Sequence, residues 1–148
     1  MENSGEKQIF TIGHSNRSFE EFLKVLKHYD IEILVDVRRF PRSRRNPHFN
    51  KESLEVKLKG GNIQYFWIEG LGGFRGGDYG EYTKTRDFEE GLKELIEIAG
   101  KKRAAVMCAE ILWVRCHRSF IASVLSGRKW QVVHVYDETK ADVHNVLI

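Results

Sequence analysis

The chain has 148 residues, 41% hydrophobic and 11% aromatic, which suits one domain with a sizeable core and argues against disorder. Its 24 Lys and Arg against 21 Asp and Glu leave a formal charge of +3, too small by itself to argue for nucleic acid, so the placement of the charge matters more. No apolar run approaches the roughly 20 residues of a membrane span and the first residues lack a signal peptide's apolar stretch, so the expectation is a cytoplasmic protein with reduced thiols and no membrane contact.

Residues 8–12 read as a first strand, closed by Gly13-His14-Ser15-Asn16. Ser18 with Glu21 three residues on has the pattern of a capping box, and Phe19, Phe22, Leu23, Leu26 and Tyr29 then recur at helical spacing. His14 and Ser15 therefore follow the carboxyl end of a strand, where open α/β sheets bind ligands. Residues 33–37 read as a buried strand interrupted by Asp36. A carboxylate there needs a cationic partner or a catalytic task, and the two are compatible.

Arg38, Arg39, Arg42, Arg44 and Arg45 follow within eight residues, in a loop shaped by Pro41 and Pro47. Five guanidiniums so close repel one another. Phosphate or carboxylate would relieve that through bidentate hydrogen bonds, with internal pairing to Asp36, Glu69 or Glu110 as the alternative. Asn50 is placed to cap a helix over 51–59 that ends at Gly60-Gly61, and 63–68 is rich in aromatic and β-branched residues, as a third strand should be. Six glycines between 70 and 80 then make either a flexible flap carrying Arg75, Tyr79 and Tyr82 or a plain connection, without a dinucleotide or phosphate-loop fingerprint.

Asp87 with Glu90 is expected to cap a helix whose buried face is Phe88, Leu92, Leu95, Ile96 and Ala99. Residues 104–107 form a short buried strand, a polar elbow follows, and Phe120, Ile121, Val124 and Leu125 mark the next helix. Cys108 and Glu110 thus close a strand, while Cys116, His117 and Arg118 open a helix whose free N–H groups and dipole favour anions and lower a thiol's pKa. Cys108 reads first as a small apolar filler, and Cys116, in Cys-His-Arg, as a reactive thiol. The seven residues between them match no short zinc spacing, so neither a metal nor a cofactor is expected. Residues 130–136 read as the last strand with His134 structural, and 137–148 should dock on the domain.

Strands alternating with helices predict a single compact α/β domain over 1–148, a mostly parallel sheet with helices on both faces. His14, Asp36, the arginine loop, the flap and the Cys-His-Arg elbow all follow strands, so this fold gathers them on one edge. The segments TIGHS at 11–15, VDVRRFPRSRRNPHFN at 35–50, LGGFR at 71–75, MCAE at 107–110 and CHR at 116–118 together resemble the domain-of-unknown-function family 488 of small bacterial and archaeal proteins, which implies a compact α/β fold and no assigned activity. Where that family usually has a polar link between CAE and CHR, this chain has Ile111, Leu112, Trp113 and Val114, which either closes the elbow or marks a contact surface.

Three functions compete on these residues. The leading one is an enzyme, or an enzyme-derived domain, acting on a phosphate-bearing small molecule or nucleic acid. Ser15, Arg38, Arg42, Arg44, Arg45, Arg75, Tyr79 and Arg118 would hold the substrate, Asp36 and Glu110 would supply acid or base, and His14 and His117 are alternative proton carriers. The second is sulfur transfer or redox chemistry with Cys116 as nucleophile and Cys108 as its resolving partner. The third is a non-catalytic nucleic-acid-binding module. Oligomeric state is undetermined by these patterns.

Overall fold

Hydrophobic alternation and continuous apolar runs become six strands: β1 (Lys7–Gly13), β2 (Ile33–Asp36), β3 (Gln64–Trp67), β4 (Ala104–Cys108), β5 (Trp130–Val135) and β6 (Ala141–Val143). The structure is a computed structural model that describes residues 7–73, 78–113 and 116–144. The strands lie in one sheet in the order β3-β2-β4-β1-β5-β6, parallel except for β6, which runs antiparallel to β5. The helices are α1 (Phe19–His28), α2 (Lys51–Gly60), the single turn α3 (Tyr79–Tyr82), α4 (Arg86–Ala99) and α5 (Arg118–Gly127). Helices α1 and α2 lay Phe22, Leu26, Leu54 and Leu58 on one face, while α4 and α5 lay Leu92, Leu95, Ile121 and Leu125 on the other. Strands β2 and β4 are accordingly buried at every position, as parallel strands covered on both sides must be. No helix among the described residues is long and apolar enough to cross a membrane.

Local signals set most boundaries. At the start of α1, Ser18 Oγ accepts from Glu21 N at 3.1 Å and Glu21 Oε1 accepts from Ser18 N at 3.0 Å, the expected box. Helix α4 starts differently: Thr85 is the cap, its Oγ1 accepting from Phe88 N at 3.2 Å, and Asp87 lies inside the first turn. Asn50 precedes α2 as expected, yet its Oδ1 accepts from Ser43 N at 2.6 Å and braces the arginine loop instead of the helix. Phe120 is 42% exposed; Ile121, Ala122, Leu125 and Arg118 are the buried side of α5. The tail contributes a sixth strand that three residues are too few to announce by periodicity.

The site follows from how the chain leaves two neighbouring strands. After β1 the chain goes to α1 on one face of the sheet, and after β4 it goes to α5 on the opposite face, so the carboxyl ends of β1 and β4 part around a crevice. Gly13 pairs with Cys108 at the mouth of that crevice. The chain leaving β4 passes directly over Gly13, where a Cβ would sit 1.7 Å from the Glu110 carbonyl oxygen. Both surfaces there are backbone, so neither can step aside. Gly13→Ala is therefore expected to destabilise the protein by about 3 kcal/mol or more in urea unfolding. A variant within about 0.5 kcal/mol of wild type, the range of ordinary surface changes, would contradict this packing.

Candidate functional site

Asp36 ends β2 with no exposed surface. Its Oδ1 accepts from Arg38 N at 3.0 Å and Arg38 Nε at 2.9 Å, and its Oδ2 from Arg38 Nη2 at 2.7 Å and the Tyr65 hydroxyl at 2.5 Å. Burial first, and then the adjacent Asp36, raises the Tyr65 phenol, which keeps it a donor. The same Arg38 donates through Nη2 to Phe49 O at 2.8 Å and lies 3.4 Å through Nη1 from His14 Nε2. With four donors on its two oxygens, Asp36 is the internal counter-charge of Arg38, the pairing anticipated as one of its two roles. Removing one partner of such a buried pair costs about 3–5 kcal/mol. His14 is equally committed. Its Nδ1–H donates to Ser15 O at 2.7 Å, its ring stacks on Phe49 at 4.3 Å, and burial chiefly lowers its pKa to about 4. Ser15, at a left-handed φ of 49°, donates its N–H to Ala109 O at 3.0 Å and so ties the β1 loop to the β4 loop.

The arginine loop is held by its own polar groups. Asn46 N donates to Ser43 Oγ, His48 Nε2–H to Arg17 O and Lys51 N to Pro41 O. Arg42, Arg44 and Arg45 are exposed and make no ion pair among the described residues. Arg38, Arg39 and Arg42 border a cleft of about 620 Å³ past the carboxyl ends of β2 and β4; Arg44 and Arg45 lie outside it.

The floor of that cleft carries both thiols. Cys108, 2% exposed, and the half-buried Cys116 bring their sulfurs to 2.7 Å, and both cysteines are free. Cys116 lies just before α5 and its sulfur accepts the Arg118 N–H at 3.4 Å, the position where a helix start stabilises a thiolate. His117 donates Nε2–H to Val37 O at 2.6 Å and turns Nδ1 to the Cys116 sulfur at 3.4 Å. Cys116 is held well below the usual thiol range, first by the Cys108 S–H it accepts, then by His117 and the Arg118 N–H. Burial, with Cys116 next, pushes Cys108 up, and Arg118 partly opposes it. The two neighbouring thiols are thus pushed apart in acidity, Cys116 downward and Cys108 upward.

Tyr79 walls the cleft: its hydroxyl donates to Leu71 O at 2.9 Å and its ring meets His117 and Phe120 at 5.3 and 5.6 Å. The glycines beside it serve packing. A Cβ on Gly73 would lie 2.6 Å from His117 Nδ1, and one on Gly72 would lie 2.5 Å from Arg39 Cα. Arg75 lies outside the described residues. Glu110 is exposed at the lip, and Phe40, 69% exposed, and Phe120 add an aromatic rim. Arg39, Phe40 and Phe120 were not singled out as ligand holders by sequence, although an aromatic inside an arginine cluster is itself a signal.

Arg118 turns away from the cleft it was expected to line. It is 1% exposed, with Nη1 donating to Thr11 Oγ1 at 3.1 Å and Nη2 to the carbonyls of Glu110 at 2.7 Å and Ile111 at 3.2 Å. Behind it runs a buried chain: Thr11 Oγ1 to His134 Nδ1 at 2.6 Å, His134 Nε2 to His144 Nδ1 at 2.9 Å, and His144 Nε2 to Ser123 Oγ at 3.0 Å. A guanidinium only donates, so the polarity assigned from this network runs outward, with Thr11 donating to His134 and each imidazole to the next acceptor. Trp113 stacks on His134 at 4.2 Å. His134 keeps the structural role expected of it. Among the described residues no three His, Cys, Asp or Glu converge as a metal site.

Burial, the leading cause in each case, lowers the pKa of His14 to about 4 and of His134 to about 3, and lowers that of His144. The unfolded chain therefore binds protons that the fold refuses. Stability should be at its full value above about pH 6.5 and fall as the pH drops towards 4, by about 1.4 kcal/mol per pH unit for each histidine kept neutral. Urea midpoints between pH 7 and 4 measure this, and a flat profile would contradict it.

Comparison with curated proteins and with solved structures finds no match for this chain. Residues 18–125, which take in the arginine loop, both cysteines and most of α5, match the domain of unknown function DUF488, and the chain belongs to that family.

Proposed function

We propose that this protein is a thiol-dependent oxidoreductase in which Cys116 is the nucleophile and Cys108 the resolving thiol. The observation that carries this reading is the 2.7 Å approach of the Cys108 and Cys116 sulfurs on the floor of an open cleft. The Cys116 thiolate attacks one sulfur of a substrate disulfide, forming a mixed disulfide while the other substrate sulfur leaves as a thiolate. Cys108 gives up its proton and attacks Cys116 Sγ, closing a Cys108–Cys116 bond and releasing the second substrate thiolate. Two electrons pass to the substrate, and an external thiol reductant restores the pair. Arg39 and Arg42 at the rim favour a substrate with an anionic group, and Phe40 and Phe120 favour an apolar or aromatic portion beside it. A cytoplasmic setting, where thiol pools keep such a pair reduced, fits the cycle.

Dithiobis-nitrobenzoate, an anionic aromatic disulfide, reads both steps as successive releases of coloured thiolate. Wild type should release both and gain an internal disulfide by mass spectrometry. Cys108→Ser should stop at a mixed disulfide on Cys116, and Cys116→Ser should react slowly. Alkylation of Cys116 should persist well below pH 8.5, the ordinary thiol midpoint, because thiolate is present above its lowered pKa and lost only as the pH falls through it. An ordinary alkylation profile together with no internal disulfide would sink the proposal.

A second reading rests on Arg42, Arg44 and Arg45, exposed on a braced loop without ion pairs among the described residues. A phosphate-bearing small molecule or nucleic acid would lie along that loop, with Glu110 as acid or base at the lip, or with no turnover at all. Asp36 and Arg38 satisfy each other, so this reading now depends on the exposed groups. Replacing all three arginines with alanine should reduce the salt slope of oligonucleotide binding by about 2–3. Binding with an unchanged slope would remove the loop from consideration.

A further inference from the structure

Neither reading uses the charge of Arg118, although it is the most deeply buried cation described here. Among the described residues its guanidinium meets only neutral acceptors, Thr11 Oγ1 and the carbonyls of Glu110 and Ile111, and its Nε has no hydrogen-bond partner there. A buried cation without a carboxylate is costly, and an unmade donor adds to the cost. Such an arrangement calls for a counter-charge. Two groups beside it that can carry one are the thiols. The Glu110 carbonyl that accepts Arg118 Nη2 at 2.7 Å also faces the Cys108 sulfur at 3.6 Å, and the Arg118 backbone N–H touches the Cys116 sulfur.

We propose that Arg118 is the positioning residue of the dithiol: it clamps the Glu110 carbonyl beside Cys108 and supplies the positive charge that the Cys108 thiolate needs when it resolves the mixed disulfide. The inference rests on the dithiol reading above. In the resting pair the negative charge sits on Cys116. When Cys116 attacks, that charge leaves with the first substrate thiolate, which takes the Cys108 proton in the cleft. Arg118 then faces one anion, the new thiolate on Cys108, which attacks Cys116 Sγ, breaks the substrate–Cys116 bond and expels the second substrate thiolate. The guanidinium thus remains balanced through both steps while the anion moves from one sulfur to the other.

Stopped-flow release from dithiobis-nitrobenzoate separates the two steps in wild type, Arg118→Gln and Arg118→Lys. The first release should stay within about threefold of wild type in Arg118→Gln, while the second slows at least about tenfold, the effect of one unit in a thiol pKa; Arg118→Lys, which keeps the charge, should recover most of the loss. A purely structural role would slow both steps together, or leave Arg118→Lys as slow as Arg118→Gln, and either result overturns the proposal. Should Arg118→Gln fail to fold, the wild-type protein labelled with ¹⁵N gives the second readout: the Arg118 Nε resonance should move when the internal disulfide forms, and an unmoved signal overturns the proposal. A wild type that releases only the first thiolate defeats the dithiol reading and this inference with it. A wild type and an Arg118→Gln variant that resolve at equal rates defeat the role of Arg118 alone.

Discussion

The site depends on one close approach, the Glu110 carbonyl laid against the bare Cα of Gly13. Two parallel strands whose chains leave to opposite faces open a crevice between their ends, and the chain departing β4 must cross that crevice to reach α5. Only a residue without a Cβ lets the crossing run so low. Because it does, the backbone of residues 109–111 can be tied from both sides, by Ser15 N–H to Ala109 O and by Arg118 to the carbonyls of Glu110 and Ile111. The two sulfurs at the ends of this short crossing are thereby set within contact. The functional geometry is thus a consequence of main-chain packing.

Two buried arginines stabilise the molecule in unlike ways. Arg38 has a carboxylate of its own and forms a bidentate pair that links β2, Tyr65 and Phe49. The Asp36 oxygens are taken up by these donors, while Arg38 also borders the cleft. Among the described residues Arg118 has carbonyls, a hydroxyl and, behind it, a line of imidazoles, which solvate its charge without cancelling it. In a medium of low dielectric such an uncompensated charge acts strongly on whatever can ionise nearby, and the thiols are adjacent. The exposed arginines of the arginine loop stand in water, where salt screens their charge.

The alternation of strands and helices, the capping box at Ser18 and the placement of the cysteines at a strand end and a helix start were all readable from residue order, because each depends on neighbours a few positions away. The cap of α4 was misread because Thr85 and Asp87 both carry suitable oxygens and only the backbone geometry selects between them. Phe120 fits the helical stripe as well as Ile121 does, yet it faces the cleft beside Tyr79 and stays partly in solvent. The glycine-rich segment suggested close approach to a ligand. Where the structure describes it, the approach is to His117 and Arg39, since a missing Cβ says that something comes near but not what.

By itself the sequence determined the α/β class, the parallel order of events along the chain and the edge on which the reactive side chains would gather, since periodicity and end signals are local properties of the polypeptide. Tertiary structure alone decided which charges meet. It gave Asp36 to Arg38, turned Arg118 under the crossing to Thr11, left Arg42 at the rim and brought the Cys108 and Cys116 sulfurs together. Pairing between residues as distant as Thr11 and Arg118 is set by strand order and by the fall of electrostatic energy with distance and dielectric, neither of which is written in the spacing of residues.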